Sequence, residues 1–417
     1  MSRTSSKRKS STGITREEYV EKMKQRKNEN SSNSRSKNSK KKNNKKSSSR
    51  KKKIIKIILI LILIAIIIIL VNTIISMVSF WQMAKDMIQN MPSVIVDSSG
   101  EEITQVGNER NRENISIEEM PETLKNAYVA IEDQRFYSHF GIDIRRTGAA
   151  TIDYITSFGN ASFGGSTITQ QLVKNLTGNT DSTISRKFEE WKYAVALEIA
   201  MSKDEILEAY LNVIYVGPNI YGVQTGAKYY FNKSAKDLSL AECAFLAGIN
   251  HSPNSYNPFR EGEDNTERIR NRTITVLDKM LELGYITDSE YNEAEAQVEA
   301  GLAFQRGDIE ITKDIVYSYH VDALISELIS DLAEEKNISE DFAENYIYMG
   351  NLKIYSTQET NVQTAMESEF NKSRYILDSS NDPEATSQAA MVVIDHTTGY
   401  VVGTVGGLRR KNNIKRI

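Results

Sequence analysis

The feature that most constrains this chain is a long apolar run near the N-terminus, "IIKIILILILIAIIIILVNTIISMVSFW", residues 54–81. It has no polar residue between Ile57 and Val71 and no charged residue after Lys56. As a helix, the segment from Ile57 to Phe80 would be about 36 Å long at about 1.5 Å per residue, enough to cross a hydrocarbon core of roughly 30 Å. It is too long for a signal peptide, and a buried core helix fits less well because no amphipathic pattern is visible. The sequence predicts a transmembrane helix over residues 54–81.

The segment before this helix is strongly basic. Residues 1–53 have a net charge of +16 and the rest of the chain −19, which together give the formal net charge of −3. The segment is rich in Ser, Asn and Lys, so it cannot bury enough apolar surface to offset the entropy of ordering. We expect a disordered tail, which the positive-inside rule places in the cytoplasm. Everything after Trp81 is then extracellular.

The region after the helix is long enough for about two domains. Cys243 is the only cysteine, which excludes an intrachain disulfide and a cysteine-based metal site. "PSVIVDSSGEEITQV", residues 92–106, predicts two short strands around a turn, and the chain then becomes mainly helical.

The stretch "AIEDQRFYSHFG", residues 130–141, places two acids at the end of a predicted helix. Leu124, Tyr128 and Ile131 recur at helical spacing and form its buried stripe. Glu132 lies at the edge of that stripe, where a partly desolvated carboxylate suits a general base. The alternative, which spacing alone favours, is an acid solvated at the helix boundary.

A second stretch, "FGGSTITQQLVKN", residues 163–175, predicts a capped helix. Thr167 and Gln170 have capping-box spacing after two glycines, so backbone N–H groups would point at a glycine-lined approach. Gln171 and Lys174 are predicted on the same face as these two residues, opposite a core face of Ile168, Leu172 and Leu176. The pattern predicts either an ordinary amphipathic helix or a site for a phosphate or pyrophosphate.

A third stretch begins "SRKFEEWKYAV" at Ser185. Phe188, Trp191 and Val195 predict its core face, and Arg186, Lys187 and Glu190 cluster on another side. An acid between fixed cations suits a site that holds a metal and a polyphosphate leaving group. The alternative is an exposed ion pair between Arg186 and Glu190.

In this order the stretches resemble the glycosyltransferase family 51 domain of class A penicillin-binding proteins, the peptidoglycan polymerases. The resemblance runs from about Pro92 to Gln297 and includes "NIYGVQTGAKYYFNKSAKDLSLAECAFLAGINHSPNSYNPF", residues 219–259. The other matching residues are Glu132, Asp133, Phe136, His139, Gly141, Gly165, Ser166, Thr167, Thr169, Gln170, Gln171, Arg186, Lys187, Glu190, Lys203, Ile206, Leu207, Tyr210, Leu211 and Asn212.

The resemblance implies a mainly α-helical, lysozyme-like lobe that extends glycan strands at the outer face of the cell membrane. The donor would be the lipid-linked glycan chain and the acceptor lipid II. Glu132 would be the general base and Glu190 would assist departure of undecaprenyl pyrophosphate, with inversion and through bound Mg²⁺ or Mn²⁺. Division or elongation proteins are expected partners. The substrate-binding residues that the resemblance implies are Asp133, His139, Arg145, Gly165, Ser166, Thr167, Gln170, Gln171, Lys174, Arg186, Lys187, Lys203 and Asn212.

The C-terminal region contains "QAAMVVIDHTTGYVVGTVGG", residues 388–407, which resembles the first hairpin of a penicillin-binding transpeptidase domain. Such a domain needs a Ser-x-x-Lys motif, and that spacing occurs here only in the basic tail. We expect that this chain has no transpeptidase activity. The expected organisation is a tail (1–53), a transmembrane helix (54–81), a mainly α glycosyltransferase domain with short β segments at its start (82–285), a helical extension and linker (286–385), the first hairpin of an incomplete α/β transpeptidase start (386–407), and an unmatched tail (408–417).

Three other functions remain open on these residues. A lysozyme-like lytic enzyme would also use a glutamate, but it does not need the Arg/Lys/Glu cluster. A catalytically silent scaffold for cell-wall synthesis would keep the fold without needing Glu132. A basic-tailed nucleic-acid binder is the least favoured, because the tail directly precedes a membrane span.

Overall fold

The computed structural model describes residues 15–89, 91–107, 111–148, 165–179, 183–309, 316–375 and 387–408. The chain divides into two compact units, residues 1–74 and 75–417. The described part is mostly helical, with three small sheets. Its α-helices are α1 (Arg16–Gln89), α2 (Glu122–Glu132), α3 (Ile168–Thr177), α4 (Ile184–Ala200), α5 (Lys203–Val213), α6 (Val223–Phe231), α7 (Leu240–Ile249), α8 (Thr266–Glu282), α9 (Asp288–Glu299), α10 (Tyr319–Lys336), α11 (Glu340–Met349) and α12 (Thr360–Phe370).

Helix α1 contains one candidate membrane span, Lys52–Gln89, whose most apolar window has a mean hydropathy of 3.7. The predicted apolar helix is therefore confirmed, although the helix continues beyond the predicted end at Trp81. Residues 16–53, for which disorder was expected, are part of this helix. No glycine or proline occurs between Gly13 and Pro92, so nothing in the covalent backbone stops the helix from continuing into the basic segment.

In the second unit the last turns of α1 belong to the main core. Phe80 and Met87 are fully buried, and the Phe80 ring stacks on Tyr193 with centroids 4.2 Å apart. Phe342 of α11 contacts both rings, at 5.7 Å from Phe80 and 6.4 Å from Tyr193. The core therefore joins the end of α1 to α4 and to a helix more than 250 residues later in the chain.

Within the described ranges the strands are β1 (Ser93–Val96), β2 (Glu102–Val106), β3 (Asn111–Arg112), β4 (Tyr215–Gly217), β5 (Ile220–Tyr221), β6 (Lys353–Tyr355), β7 (Met391–Ile394) and β8 (Val401–Val405). The predicted β1–β2 hairpin is confirmed, with Ser93 paired to Val106. Strand β6 pairs in parallel with the other edge of β1, with Val94 opposite Lys353. The chain therefore returns to its first sheet after the helical region, a long-range pairing that the sequence did not predict.

The C-terminal hairpin predicted at residues 388–407 is also present, as β7 and β8. Val405 packs with Met366 and Phe370 of α12 in a small separate core. Thr287 and Glu290 form the predicted capping box at the start of α9. Residues 376–386 and 409–417 of the predicted linker and tail lie outside the described residues.

Candidate active site

Glu132 is the last residue of α2, and two neutral amides hold its carboxylate. Gln171 Nε2 of α3 donates to Oε2 at 2.8 Å, and Asn250 Nδ2, just after α7, donates to Oε1 at 3.1 Å. Asn250 Nδ2 also contacts the Tyr210 hydroxyl at 3.0 Å, and that hydroxyl donates to Gln171 Oε1 at 3.0 Å. Glu132 is thus part of a closed network from four helical elements. It is half-buried, so it is not simply a solvated acid at a helix end.

Asp133, beside it, is buried and has a different environment. Its Oδ2 accepts from the backbone N–H of Ile168 at 3.0 Å and contacts His139 Nε2 at 2.9 Å. Asp133 and His139 are only 1% and 8% exposed at their side chains. Both are among the residues expected to bind substrate, and Asp133 was also expected to be the more structural of the two neighbouring acids. In the structure they join the end of α2 to the first turn of α3.

The predicted capping box at the start of α3 is present. Thr167 Oγ1 accepts from the Gln170 N–H at 3.1 Å, and Gln170 Oε1 accepts from the Thr167 N–H at 2.8 Å. Both side chains are fully buried, whereas Lys174 on the same predicted face is exposed. The backbone N–H groups of Thr167, Ile168 and Gln170 are all satisfied within the protein, which removes them from the predicted phosphate site. Ile168, Leu172 and Leu176 are buried as expected.

The second acidic site is centred on Glu190 of α4, whose side chain is 4% exposed. Arg186 Nη1 lies 2.6 Å from its Oε2, and Lys187 Nζ contacts its Oε1. Lys187 also donates to Ser166 Oγ at 2.9 Å. The alternative of an exposed pair is therefore wrong. The predicted core face was misplaced, because Phe188 is 60% exposed while Tyr193 and Leu197 are buried.

A small pocket lies beside the Glu190 cluster. A narrow pocket of about 20 Å³ is lined by Lys174, Arg186, Glu190, Tyr193 and residues of α11. Lys174 is exposed, on the last turn of α3. Gly165 is half-buried, whereas Gly164, which was expected to line the same approach, lies outside the described residues.

The donor set at Glu190 does not fit the predicted metal ion. Both carboxylate oxygens already contact cationic side chains. Within the described ranges, no group of three or more His, Cys, Asp or Glu side chains is placed to hold a metal. A hard divalent cation prefers several oxygen ligands, and here Arg186 and Lys187 contact both carboxylate oxygens of Glu190. No step proposed below therefore passes through a bound metal.

Lys203 was expected to contact the leaving group, but its contacts lie within the protein. Its Nζ is 2.7 Å from Glu198 Oε1 and lies over the Phe136 ring at 4.5 Å from the centroid. Thr169 Oγ1 donates to the same Glu198 oxygen at 2.7 Å. These contacts link α3, α4 and α5. Glu198 was not identified from the sequence.

Asn212, another residue expected to bind substrate, is buried. Its side chain accepts from the Ile115 N–H at 3.1 Å while donating to the Ile115 carbonyl at 2.9 Å. Its backbone carbonyl also lies 2.7 Å from where a Cβ on Gly222 would stand. Asn212 therefore fastens the segment before α2 to α5.

Arg145 lies at an open cleft of about 410 Å³ on the Asp133 side of α2, with Arg135, Asp143 and Arg146. Asp143 Oδ1 accepts from the N–H groups of Arg145 and Arg146, and its Oδ2 accepts from Arg135 Nε at 2.8 Å. Although burial raises the pKa of Asp143, these hydrogen bonds and the Arg135 charge hold that pKa below its ordinary value. Arg145 is exposed at the cleft, consistent with the predicted contact to an anion. Residues 149–164, which follow this cleft in the chain, lie outside the described residues.

Comparisons with known proteins agree with this arrangement. Residues 99–281 match the protein-family model described as Transglycosylase. The chain is 38% identical over 321 residues to "Penicillin-binding protein 1A" of Clostridium botulinum strain Langeland, covering 76% of this chain and 39% of that protein. It is 36% identical to "Penicillin-binding protein 1A" of Clostridium perfringens strain 13, covering 76% and 48%, and 34% identical to "Penicillin-binding protein 1F" of Bacillus subtilis strain 168, covering 78% and 42%.

Residues 99–281 thus match a transglycosylase domain. Over 76–78% of its length the chain is similar to proteins named penicillin-binding protein 1A and 1F. It spans less than half the length of these curated relatives.

Proposed function

We propose that this chain is a peptidoglycan glycosyltransferase that polymerises lipid II. The observation that carries the proposal is the placement of α3 between two unlike carboxylates. Gln171 of α3 contacts Glu132, whereas Ser166, just before α3, contacts Lys187 of the Glu190 cluster. An acid held by neutral amides and an acid held by cations therefore flank one helix.

Glu132 is the general base of the proposed reaction. It takes the proton of the acceptor sugar's 4-hydroxyl, whose oxygen attacks the anomeric carbon of the donor. The bond from that carbon to the pyrophosphate oxygen breaks, with inversion. Amide donors orient a carboxylate without neutralising it, as this role requires.

The Glu190 cluster serves the leaving group in this proposal. Arg186 and Lys187 lie partly exposed over the buried Glu190, which fixes their positions, and Lys174 lines the same pocket. Fixed cations stabilise the charge that develops on a departing pyrophosphate. Asp133, His139, Thr167, Gln170, Lys203 and Asn212 keep the helices in place in this proposal, and Arg145 contacts a lipid phosphate.

The candidate membrane span supports the proposal that the substrates are lipid-linked. An enzyme and two polyprenyl-linked substrates in one bilayer meet at a higher effective concentration than in solution. By the positive-inside rule, the excess of Lys and Arg before the span places residues 1–53 in the cytoplasm and the transglycosylase domain outside. Division or elongation proteins remain proposed partners.

The hairpin of β7 and β8 is proposed to begin a transpeptidase domain. Ser-x-x-Lys spacing is absent from residues 54–417 of the sequence, so this chain is proposed to lack transpeptidase activity. A fluorescent β-lactam should leave the purified chain unlabelled. Covalent labelling of any residue would contradict this part of the proposal.

The polymerase activity is tested with the detergent-solubilised chain and labelled lipid II. Wild type should produce glycan polymer, and Glu132→Gln should reduce the rate by at least about 100-fold. Glu190→Gln should also be slow, whereas Glu293→Gln, at an exposed glutamate of α9, should match wild type. Parallel reactions with Mg²⁺, with Mn²⁺ and with a chelator measure any need for a cation.

Fragments released from finished glycan, without polymer from lipid II, would favour the lytic enzyme. If a folded wild-type chain yields neither polymer nor fragments, the result would favour the silent scaffold.

A further inference from the structure

Asn250 follows the last residue of α7 and lies 118 residues from Glu132 in sequence. Its Nδ2 lies 3.1 Å from Glu132 Oε1 and 3.0 Å from the Tyr210 hydroxyl. Because a side-chain amide has two N–H bonds, it can serve both acceptors at once. We propose that Asn250 is a positioning residue for Glu132, an inference that rests on the proposed glycosyltransferase function.

One proton arrangement satisfies the whole network. Asn250 donates to Glu132 and Tyr210, Tyr210 donates to Gln171 Oε1, and Gln171 Nε2 donates to Glu132 Oε2. All four hydrogen bonds of this closed network are then directed from Asn250 toward the Glu132 carboxylate, which accepts at both oxygens. Hydrogen bonds in such a chain polarise and strengthen one another. The carboxylate is thereby held in one orientation.

Several charged and titratable groups surround Glu132, so it matters that the donor at position 250 is neutral. Burial, with the charge of Glu132, raises the pKa values of Tyr128 and Tyr210 well above the ordinary value, so both stay neutral donors. Asp133 is adjacent and buried, and Arg146 donates to the Glu132 backbone carbonyl. An amide at position 250 orients Glu132 without adding a charge to these surrounding residues.

A purely structural role for Asn250 is the competing explanation. However, α2 and α7 are already joined by Tyr128, whose buried hydroxyl donates to the Leu246 carbonyl at 2.8 Å. Ala127 and Ala130 of α2 and Ala244 and Ala247 of α7 also belong to one buried core. The packing of these two helices therefore does not depend on the half-buried Asn250 side chain.

The test uses the full chain in detergent, with kcat and KM for labelled lipid II measured from pH 5 to 9. Asn250→Asp replaces the donor by a second carboxylate about 3 Å from the first, and two such groups resist ionising together. Asn254→Asp makes the same chemical change at an exposed position four residues later and is the matched control. Asn250→Ala removes the donor without adding charge. Thermal unfolding of each variant measures folding separately.

The proposal expects the acidic limb of the Asn250→Asp rate profile to move to higher pH by about one unit or more. It expects Asn250→Ala to lower kcat by about tenfold, with KM within about twofold, since positioning acts on the chemical step. Asn254→Asp should match wild type in both parameters.

An active wild type with an unchanged profile in Asn250→Asp and an unchanged kcat in Asn250→Ala would overturn this inference alone. If Asn250→Asp does not fold, the kcat of Asn250→Ala decides. A folded wild type that does not polymerise lipid II would overturn the proposed function and this inference with it.

Discussion

The Asp133 carboxylate lies 3.0 Å from the backbone nitrogen of Ile168, so the residue beside the proposed base holds the first turn of the helix that carries Gln171. The same oxygen contacts His139. The two neighbouring acids are therefore separated in role by their partners. Glu132 meets amide side chains at the edge of the core, and Asp133 meets a helix end inside it.

Replacing Asp133 by Ala should destabilise the protein by about 1–3 kcal/mol, because the buried Ile168 N–H and His139 lose their acceptor. A shifted α3 would also move Gln171, so polymerisation should fall. Thermal unfolding in detergent and the lipid II assay measure the two effects. Asp237→Ala, at an exposed aspartate, should change neither. A melting temperature equal to that of wild type would contradict the assigned role of Asp133.

Lys187→Ala should lower polymerisation, since the leaving group loses a fixed cation and the buried Glu190 keeps only the Arg186 contact. We expect a loss of about 10- to 100-fold in kcat/KM. The lipid II assay measures it, with Lys236→Ala as the control at an exposed lysine. A rate equal to that of wild type would remove Lys187 from the proposed mechanism.

Gly178 ends α3 in the left-handed conformation, with φ of 67°. A Cβ there would stand 2.5 Å from Asn345 Nδ2 of α11, and that nitrogen donates to the Leu176 carbonyl at 3.1 Å. Gly178→Ala should therefore cost the backbone strain of about 1–2 kcal/mol and disturb the contact between α11 and α3.

Gly284 is the matched control, because it has φ of 73° but nothing within 4 Å of the same Cβ position. Gly284→Ala should cost only the strain. Thermal unfolding of both variants isolates the contact with Asn345 as the difference between them. Equal melting temperatures would mean that α11 adjusts freely to the added methyl group.

The pH dependence of stability should include a contribution from Asp97. Hydrogen bonds from the hydroxyls of Ser99 and Thr360 lower the pKa of Asp97 from its ordinary 3.8 to about 2. Since the folded pKa lies below the unfolded pKa, the stabilisation is fully present above about pH 4 and is lost as the pH falls toward 2.

Asp97→Asn should consequently melt below wild type at pH 6, and the gap should close as the pH approaches 2. Melting curves in detergent across this range provide the measurement. Asp331→Asn, at an exposed aspartate whose substitution should be neutral, controls for the loss of one charge. A gap that stays constant with pH would show that Asp97 acts through packing alone.

Features that depend on near neighbours were predictable. The capping boxes at Thr167 and Thr287 join residues three apart, and the hairpins β1–β2 and β7–β8 join adjacent runs. Such contacts form inside a short segment, so the residue types and their spacing specify them. The order of the three motif stretches also sufficed to indicate a resemblance, and the transglycosylase family model and the penicillin-binding relatives agree with it.

Which polar side chains of these motifs are buried was less predictable. Thr167, Gln170 and Asn212 occur in the family's motifs, but they are buried and fasten backbone segments. Asn250 lies 118 residues from Glu132, so no local sequence pattern could reveal their contact. Glu198 was likewise hidden, although its position two turns after Glu190 on α4 was a signal that it could lie near the same helices.

The sequence by itself determined the apolar helix, the caps, the hairpins and the order of the motif stretches, because each depends on covalent neighbours or on composition. The tertiary structure decided the surroundings of the two acids. Gln171 and Asn250 lie 39 and 118 residues from Glu132, and they meet it only when α2, α3, α5 and α7 pack around one core. Burial and partners distinguish a base from a structural acid, and both arise from that packing.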